Sequence, residues 1–425
     1  MKRILLIIID GLGDRPIPQL GNKTPLEAAK TPNLGFLAQN GVCGLVLPFL
    51  LTGQKKPASD TCHLALFGYN PYKYYLGRGV YEAAGIGMKL NKGDVALRVN
   101  FATINPKSLK IIDRRAGRIE KTQPLVKSLS GITIEGIKFL IKKSWGHRAV
   151  LVLRSATSGV AGGVSAISAK VGDGDPKKTG VQPRQILAKD NTNNSKFTAR
   201  ILNKFLEKAH QILKEHPLNK KREKEGKLPA NYLLLRGAGK FKKTLSFSKK
   251  YNLRACFIAG GALYKGIARV LGMEEILVKG ATGFPNTNLK GKFLAAKRAL
   301  RKVDELRSSP RFASARVYNF VFLHIKASDN LAEDGNFLGK KEFIEKIDKN
   351  LKPILRLKNT LIVVTADHST CSLFKRHCKE LIPVLIYGGA KDEVQRFSEK
   401  SCQKGKLGKV KQINLMRTIL NLRRS

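Results

Sequence analysis

Residues 4–10 have the sequence Ile-Leu-Leu-Ile-Ile-Ile-Asp, a run of six apolar residues that ends in an aspartate. Two later stretches repeat this order: 320–329 (FVFLHIKASD) ends in an aspartate, and 361–368 (LIVVTADH) ends in an Asp-His pair. Continuous apolar runs of this length are typical of strands buried on both faces, as in parallel sheets. The three stretches therefore predict an α/β fold with a doubly wound, mostly parallel sheet.

Helical patterns separate these strands. Residues 24–27 (Thr-Pro-Leu-Glu) have the chemistry of a capping box with proline at the first helical position. Residues 341–351 place apolar side chains at helical spacing before Pro353 ends the helix. Ligands of such sheets bind beyond the carboxyl ends of the strands. We expect four side chains at that edge: Asp10, Asp329, Asp367 and His368.

The middle of the chain has a different pattern. Residues 201–213 form a clear amphipathic helix, and 216–229 (HPLNKKREKEGKLP) are predicted to be a charged surface connection. These features predict an inserted α+β substrate domain over 88–245. The metal-binding core is then discontinuous and consists of 1–87 and 246–425.

The composition is strongly basic. The 425 residues include 79 Lys and Arg but 31 Asp and Glu, a formal net charge of +48. Such a balance favours polyanions, anionic lipid surfaces or small anionic substrates. Aromatic residues make up 7% of the chain, no known nucleic-acid motif occurs, and the basic residues are spread along the sequence. We therefore predict no specific nucleic-acid partner.

The cysteines and the hydropathy pattern indicate a compartment. Six cysteines without a CxxC pair argue against a disulfide framework and against a zinc knuckle. The first apolar run is too short for a signal peptide, and no stretch approaches the roughly 18 apolar residues of a membrane span. These observations predict a soluble protein of the reducing cytoplasm without a membrane partner. They leave the oligomeric state open.

The strand-end residues have the chemistry of a metal site. Carboxylates and imidazoles without paired thiolates suit Mg²⁺, Mn²⁺, Co²⁺ or Zn²⁺. The set is Asp10, Asp329, Asp367, His368 and His377. A single strand-end acid could equally cap a helix or pair with a basic residue, but three of them in the same position favour a shared site. Two cations a few ångströms apart would clamp a phosphoryl group.

A serine stands at a predicted helix start. Ser59 opens the stretch SDTCH at 59–63, after Pro57 and before Gly68. Backbone N–H groups at a helix N-terminus favour an alkoxide or a phosphate. Most serines at such positions are only N-caps, however, and spacing alone favours that interpretation.

Basic residues beside glycines are the candidates for anion binding. Arg236 and Lys265 lie close to glycines after apolar runs, and Arg114 and Arg118 belong to the cluster DRRAGR. Arginine binds phosphate and carboxylate through bidentate forks, and lysine acts as a point charge.

Together these segments resemble the archaeal-type, cofactor-independent phosphoglycerate mutases of the alkaline phosphatase superfamily. The matching stretches run from one end of the chain to the other: IIIDGLGDRP (7–16), TPLEAAKTPNL (24–34), SDTCHLALFGYNP (59–71), GRGVYEAAGIG (77–87), LRVNFATI (97–104), DRRAGR (113–118), PANYLLLRGAG (229–239), IAGGALYKGIARVLGM (258–273), VTADHST (364–370) and PVLIYGG (383–389).

The resemblance implies an alkaline-phosphatase-like core and an isomerase that interconverts 2- and 3-phosphoglycerate without 2,3-bisphosphoglycerate. Phosphate would pass through a phosphoserine at Ser59. One metal would be held by Asp10, Ser59, Asp367 and His368, and the other by Asp329, Glu333 and His377. The expected cofactors are two divalent cations, Mn²⁺ or Mg²⁺ before Co²⁺ or Zn²⁺. The expected substrate-facing residues are His63, Arg114, Arg118, Arg236 and Lys265, of which Arg236 and Lys265 would assist Ser59 in catalysis.

Two stretches depart from the family pattern. Glu333 stands four residues after Asp329, where the family would place a histidine, and a carboxylate there hardens the site toward Mg²⁺ or Mn²⁺. Residues 172–177 (GDGDPK) lack the histidine of a DTDPH-like run. Two alternatives therefore stay open: a metal-dependent phosphohydrolase or phosphotransferase of the same superfamily, and a noncatalytic homologue that binds nucleic acid through its charge.

Overall fold

The computed structural model of the protein describes residues 1–155, 167–300 and 318–424. The strands within these residues are β1 (Arg3–Ile9), β2 (Gly41–Leu47), β3 (Val95–Ile104), β4 (Ile111–Asp113), β5 (Thr133–Ile134), β6 (Ile137–Lys143), β7 (Arg148–Ser155), β8 (Tyr232–Lys240), β9 (Ala255–Ile258), β10 (Glu274–Glu275), β11 (Phe320–Ile325), β12 (Thr360–Thr365), β13 (Ser369–Cys371), β14 (Arg376–Cys378), β15 (Ile382–Tyr387) and β16 (Gly408–Lys411).

The helices of the same residues are α1 (Pro25–Ala28), α2 (Pro32–Gln39), α3 (Ser59–Leu66), α4 (Pro71–Tyr74), α5 (Arg78–Gly85), α6 (Gln123–Leu129), α7 (Asn193–Glu215), α8 (Pro217–Lys224), α9 (Phe247–Tyr251), α10 (Ala262–Val270), α11 (Leu289–Ala299), α12 (Ala327–Glu333), α13 (Phe337–Asn350), α14 (Glu399–Cys402) and α15 (Leu415–Arg424). Short 3-10 turns are formed by Pro18–Leu20, Lys352–Ile354, Ser372–Phe374 and Gln412–Asn414.

The chain divides into two compact units. The first consists of Met1–Tyr75 with Thr244–Ser425, and the second is Leu76–Lys243. The division falls at 75/76 and 243/244, whereas the sequence placed it at 87/88 and 245/246. The first difference arises because α5 belongs to the second unit, where Gly79 packs so closely on β3 that an added Cβ would lie 2.2 Å from the Ala96 carbonyl oxygen.

The first unit is built on an eight-stranded sheet with the order β10-β9-β11-β1-β12-β15-β2-β16. Every pairing in it is parallel except the two that β15 makes with its neighbours. The central strand β1 lies between β11 and β12, with Ile8 opposite both His324 and Thr365. The predicted fold class, a doubly wound and mostly parallel α/β sheet, is confirmed.

The three apolar runs at the centre of this sheet are buried throughout. Every residue from Ile4 to Ile9, from Phe320 to Ile325 and from Leu361 to Val364 has no accessible surface. Strands with both faces covered need no polar alternation, which explains the continuous pattern. Because the three strands are parallel, the residues that follow them meet at one edge of the sheet.

Two predicted helices of this unit occur as expected. Thr24 accepts a hydrogen bond from the Glu27 amide and the Glu27 side chain accepts one from the Thr24 amide, so the capping box at α1 is complete. Helix α13 contains the predicted apolar stripe, with Phe343, Ile344 and Ile347 buried.

The second unit is an antiparallel sheet with the order β4-β3-β7-β6-β5, and β8 also pairs with β3. The long helix α7 covers it, with Ile201, Leu202 and Phe205 in the hydrophobic core. Antiparallel strands packed on helices make this an α+β unit, as the sequence predicted.

The charged surface connection predicted at 216–229 contains a helix that the sequence did not indicate. Residues Pro217–Lys224 form helix α8, in which only Asn219 is buried. Its first turn is supported because the His216 ring accepts a hydrogen bond from the Leu218 amide and Pro217 occupies the first helical position. A short, highly charged helix without an apolar stripe lacks the periodicity that would identify it.

In the described part of the chain, no helix is long and apolar enough to cross a membrane.

Candidate active site and cation-binding groups

The first group of side chains lies where β1 and β12 end. Asp10, Asp367 and His368 are buried completely and present ligand atoms within 4.8 Å of one another. The Nε2 atom of His368 lies 3.6 Å from Asp10 Oδ1 and 3.2 Å from Asp367 Oδ2. Two of these carboxylate oxygens, Asp10 Oδ1 and Asp367 Oδ2, have no hydrogen-bond partner. Buried and unpartnered carboxylate oxygens are costly unless a cation accompanies them.

Ser59 reaches the same point from helix α3. Ala58 is the N-cap of this helix without a side-chain cap, and Ser59 is the first helical residue. The Ser59 hydroxyl is free of a capping role and lies 3.0 Å from His368 Nε2. The interpretation of Ser59 as a mere N-cap, which spacing favoured, is therefore wrong. The helix N-terminus adds a positive partial charge at this end.

Thr370 determines which nitrogen of His368 carries the proton. The single hydroxyl proton of Thr370 is donated to Asp329 Oδ1 at 2.6 Å. The 3.2 Å contact between Thr370 Oγ1 and His368 Nδ1 then requires Nδ1 to be the donor. Burial, followed by the charge of His377, lowers the pKa of His368 to about 3, so the ring is neutral. Its Nε2 lone pair therefore faces Ser59 and the carboxylates, as in a metal ligand.

The second group shares His368 with the first. Asp329, His368 and His377 also present ligand atoms within 4.8 Å of one another, and the two imidazole rings stack with centroids 3.7 Å apart. Asp329 lies on α12, and its Oδ1 atom is 3.5 Å from His377 Nε2. Glu333 follows one helical turn later, with Oε1 3.5 Å from His377 Nε2, but half of its side chain is exposed. Glu333 is thus at the border of the group.

One lysine neutralises part of this acidity. Lys326 Nζ lies 3.3 Å from Asp10 Oδ2 and forms a short ion pair with Asp329 Oδ2. Asp10 Oδ2 also accepts a 2.5 Å hydrogen bond from the Tyr264 hydroxyl. Burial opposes the ionisation of Asp10, but Lys326, His324 and His368 together outweigh it and hold the pKa of Asp10 well below its usual range.

The charge of the third carboxylate, Asp367, is not balanced in the same way. Burial, and then the charges of Asp10 and Asp329, raise the pKa of Asp367 well above its usual range. Three buried carboxylates thus share one ammonium group, and a cation placed among them would restore the charged form of Asp367. The donor set of carboxylates, a neutral imidazole and a serine hydroxyl fits a divalent cation.

Gly11 lets the backbone pass through this cluster. Its φ of +66° is a left-handed conformation, and an added Cβ would lie 2.6 Å from Thr370 Oγ1 and 2.8 Å from Asp329 Cβ. Its amide points at Asp367 Oδ1 from 3.3 Å. Any side chain at this position would displace the two residues that connect the cation-binding groups.

His63 lies beside the first group. Its side chain has no accessible surface, its Nδ1 atom lies 2.7 Å from the Ser59 carbonyl oxygen and 3.5 Å from Asp367 Oδ2, and its buried Nε2 atom has no hydrogen-bond partner. The ring packs against Tyr264 and His324, 4.9 and 5.2 Å away. Burial, followed by His324, lowers the pKa of His63 to about 3. Residues four apart share a helix face, so His63 and Ser59 both reach the carboxylates, and contact of His63 with the substrate stays a prediction.

The predicted basic residues are distributed over both units. In the first unit, Lys265 on α10 forms an ion pair with Glu275 at 2.8 Å. In the second unit, Arg114 binds Asp175 through two bonds of 3.1 and 2.7 Å. Arg236 lies 3.7 Å from the same carboxylate, and its buried Nε atom has no hydrogen-bond partner. Arg118 is exposed in a loop at a φ of +57°.

Three residues that connect the ligands to one another were not among the site residues predicted from the sequence: Tyr264, Lys326 and Thr370. Each is next to a residue that was singled out: Tyr264 precedes Lys265, Lys326 stands three residues before Asp329, and Thr370 follows the Asp-His pair. Neighbours of ligands in a tight turn or in the first turn of a helix are the signal that could have identified them.

The structure contains one disulfide that the sequence did not predict, since the cysteine pattern argued only against a disulfide framework. Cys371 and Cys378 are joined across β13 and β14, while Cys43, Cys62, Cys256 and Cys402 are free and buried. A spacing of seven residues is not a motif, and only the hairpin brings the two sulfur atoms together.

Comparison with known proteins gives concordant results over the chain. A family model described as 2,3-bisphosphoglycerate-independent phosphoglycerate mutase matches residues 38–219. The 2,3-bisphosphoglycerate-independent phosphoglycerate mutase 1 of Archaeoglobus fulgidus is 43% identical over 427 residues, which cover 99% of this chain and 97% of that protein. The solved structure of a Pyrococcus horikoshii protein is similar with a TM-score of 0.80 at 33% identity, covering 100% and 97%. That of the cofactor-independent phosphoglycerate mutase from Thermoplasma acidophilum has a TM-score of 0.68 at 34% identity and covers 100% of both chains.

Proposed function

The chain belongs to the 2,3-bisphosphoglycerate-independent phosphoglycerate mutase family, and we propose that it interconverts 2- and 3-phosphoglycerate through a phosphoserine at Ser59. The observation that carries the proposal is the position of Ser59 Oγ, 3.0 Å from the imidazole that the two cation-binding groups share. A hydroxyl so placed can serve as a nucleophile beside both groups. Membership of the family supports the reaction, and this geometry supports Ser59 as the residue that carries it.

The cation-binding residues are assigned as follows. In the first group they are Asp10, Ser59, Asp367 and His368, and in the second Asp329, Glu333 and His377. Divalent cations bound there, with Mn²⁺ or Mg²⁺ as the first choice, would neutralise the phosphoryl oxygens and lower the pKa of the serine hydroxyl. Thr370 holds His368 in the tautomer that leaves Nε2 free, and Lys326 balances the charge of Asp10 and Asp329.

The reaction consists of two opposite transfers. Ser59 Oγ bonds to phosphorus as the bond to the glycerate oxygen breaks, and the proton that Ser59 loses ends on the glycerate hydroxyl. Glycerate then turns, and its other hydroxyl oxygen takes the phosphoryl group from Ser59 and returns a proton to it. Phosphoryl transfer requires positioning and charge neutralisation more than covalent help from the protein.

The anionic ends of phosphoglycerate require cationic partners. Arg236 is suited to this role because its Nε donor is buried without a partner, which is costly until an acceptor binds. Arg114, Arg118 and Lys265 are the further candidates. His63, whose side chain lies beside Asp367, is also a candidate for contact with the substrate.

A coupled assay tests the proposal. The purified protein, reconstituted with Mn²⁺, is given 3-phosphoglycerate without bisphosphoglycerate, and both 2-phosphoglycerate and inorganic phosphate are followed. We expect isomer formation with little phosphate release. Phosphate release that matches substrate consumption would instead identify the phosphohydrolase alternative.

Ser59→Ala is the decisive variant. Loss of the nucleophile should lower turnover by roughly six orders of magnitude. Ser398→Ala is the matched control, because Ser398 is similarly buried at the start of α14 but caps that helix away from the cation-binding groups. It should cost about 1 kcal/mol of stability and leave turnover intact. Normal turnover in Ser59→Ala would rule out the covalent route.

A further inference from the structure

The hairpin that carries His377 is small and separate from the main sheet. Strands β13 and β14 form a two-stranded sheet of their own, with Thr370 opposite His377. The Cys371–Cys378 disulfide joins the two strands, and its residue Cys378 directly follows His377. The crosslink thus lies between the segment of Thr370 and the segment of His377.

The two strands of this hairpin are held differently. On the β13 side, the Thr370 amide donates to the Gly13 carbonyl oxygen, Lys340 donates to the Thr370 carbonyl oxygen, and the Ser372 amide and hydroxyl donate to Asp14. On the β14 side, the turn from Leu373 to Arg376 is exposed, and His377 contacts the Pro57 carbonyl oxygen through Nδ1 at 2.9 Å and stacks on His368. Strand β14 has three residues and pairs with β13, so the disulfide is a covalent constraint that ties the segment of His377 to the anchored strand.

We propose that the Cys371–Cys378 disulfide is a positioning crosslink for His377, so that cation binding at Asp329, His368 and His377 depends on the thiol redox state. The inference rests on the proposed function in one respect, the role of His377 as a cation ligand. Asp10 and Asp367 lie at the ends of the main-sheet strands β1 and β12, and their group meets the hairpin through His368, which stacks on His377 and contacts Thr370. The proposal therefore predicts one strongly redox-sensitive cation position and one that is less sensitive.

The redox chemistry is an ordinary thiol–disulfide exchange. Cys371 is buried and Cys378 half-buried, so an external dithiol reaches the Cys378 sulfur first. A thiolate of the dithiol bonds to that sulfur, the S–S bond breaks, and Cys371 leaves as a thiolate and takes up a proton. The second thiolate of the dithiol displaces Cys378, which is protonated in turn. Two electrons pass from the dithiol, which becomes a disulfide, to the protein.

Thiol counting provides the first test. Protein prepared without reductant and unfolded in guanidinium should show four reactive thiols, because the six cysteines include one disulfide. Dithiothreitol should raise the count to six, and peptide mapping should find the 371–378 link before reduction. Six thiols before reduction would overturn the proposal.

Mn²⁺ titration calorimetry provides the second test and does not depend on turnover. Oxidised protein, protein reduced with dithiothreitol and desalted under nitrogen, and the Cys371→Ser/Cys378→Ser double variant are compared. Supporting groups around metal ligands typically change affinity by about 10–100-fold. We expect a loss of that size in one binding step of the reduced protein and a clearly smaller loss in the other step. The double variant should behave like the reduced protein, with or without dithiothreitol.

The outcomes separate positioning from general stability. Equal Mn²⁺ affinity in oxidised and reduced protein would overturn the proposal. An equal loss in both steps, together with a lower melting temperature, would also overturn it, because it would show that the link only stabilises the fold. If both steps and their redox difference are found but no isomerisation, the mutase assignment fails and the crosslink proposal stands.

Discussion

The two units of the molecule bury acidic residues in opposite ways. In the inserted unit, Glu82 forms ion pairs with Arg78 and Arg98 at 3.2 and 2.8 Å. Asp175 is held by Arg114 at 2.7 Å with Arg236 nearby, so every one of these carboxylates has cations from the same unit. In the core unit, Asp10 and Asp329 share Lys326, His377 lies 3.5 Å from Asp329, and burial with the charges of Asp10 and Asp329 raises the pKa of Asp367 well above its usual range.

This difference indicates what each unit binds. Four guanidinium groups against two carboxylates leave a positive excess in the inserted unit, which suits an anionic substrate. Three carboxylates against one ammonium leave a negative excess in the core unit, which suits added cations. Despite a net charge of +48, the chain thus brings three buried carboxylates together at one edge of this sheet.

Removing a carboxylate from the core should have the larger effect. Asp367→Asn eliminates the carboxylate without a counter-charge, and we expect kcat/KM to fall about a thousandfold with loss of one Mn²⁺ binding step. Asp348→Asn is the control, because Asp348 is also buried in the core unit but binds the Asn33 and Leu34 amides of α2. It should lower stability only. Unchanged Mn²⁺ binding in Asp367→Asn would contradict the assignment of this group.

Removing an arginine from the insert tests the other side of the comparison. Arg236→Met should lower kcat/KM about a hundredfold, mainly through KM, because an anionic group loses a charge-assisted partner. Arg154→Met is the control, since Arg154 forms a bidentate pair with Asp94 in the same unit. Steady-state kinetics should distinguish them. Equal kinetic losses in the two variants would show that arginine pairing matters only for the fold.

Changing Glu333, at the border of the second group, should have a smaller effect. Glu333→His replaces a carboxylate 3.5 Å from His377 with an imidazole. We expect the ratio of Zn²⁺- to Mg²⁺-supported activity to rise about tenfold, because imidazole suits the softer ion. Asp334→His, one position further along, is the control and should leave the ratio unchanged. The same ratio in both variants would exclude Glu333 from the ligands.

A half-buried acid gives the smallest effect. Glu399 accepts hydrogen bonds from the Asp14 amide and the Thr24 hydroxyl, and burial raises its pKa from 4.5 to about 7. As pH rises from about 4.5 to about 7, the unfolded chain releases this proton before the folded one does, so folding stability falls. Glu399→Gln should be more stable than the wild type by about 2 kcal/mol at pH 8 and by little at pH 4.

Chemical denaturation at several pH values measures this difference. Glu393→Gln, at an exposed position, is the control and should show no pH-dependent change relative to the wild type. A constant difference between Glu399→Gln and the wild type across the range would mean that Glu399 is ionised in the fold throughout.

The centre of the fold could be predicted from the sequence because strands buried on both faces consist of continuous apolar residues. The runs of β1, β11 and β12 show no alternation, so their type, and the meeting of Asp10, Asp329 and Asp367 at one edge, followed from the pattern. Helix α8 could not be predicted in the same way, because its residues are nearly all polar.

Side-chain directions and side-chain pairings could not be predicted from the sequence. His63 and Ser59 lie on the same short helix, and only the packing of α3 decides that Ser59 meets His368 while His63 is enclosed. Likewise, the role of Thr370 depends on its hydroxyl proton, which is donated to Asp329 and not to His368. The Cys371–Cys378 link depends on the register of the hairpin. These depend on three-dimensional neighbours that no spacing rule contains.

The place of β1 in the sheet also has a consequence for biosynthesis. The ribosome makes this strand first, yet both of its neighbours, β11 and β12, are encoded more than three hundred residues later. At typical elongation rates of roughly 5–20 residues per second, an entirely apolar segment waits about 15 to 60 seconds for its partners. The inserted unit, complete by Lys243, can therefore fold well before the strands that flank β1 have been made.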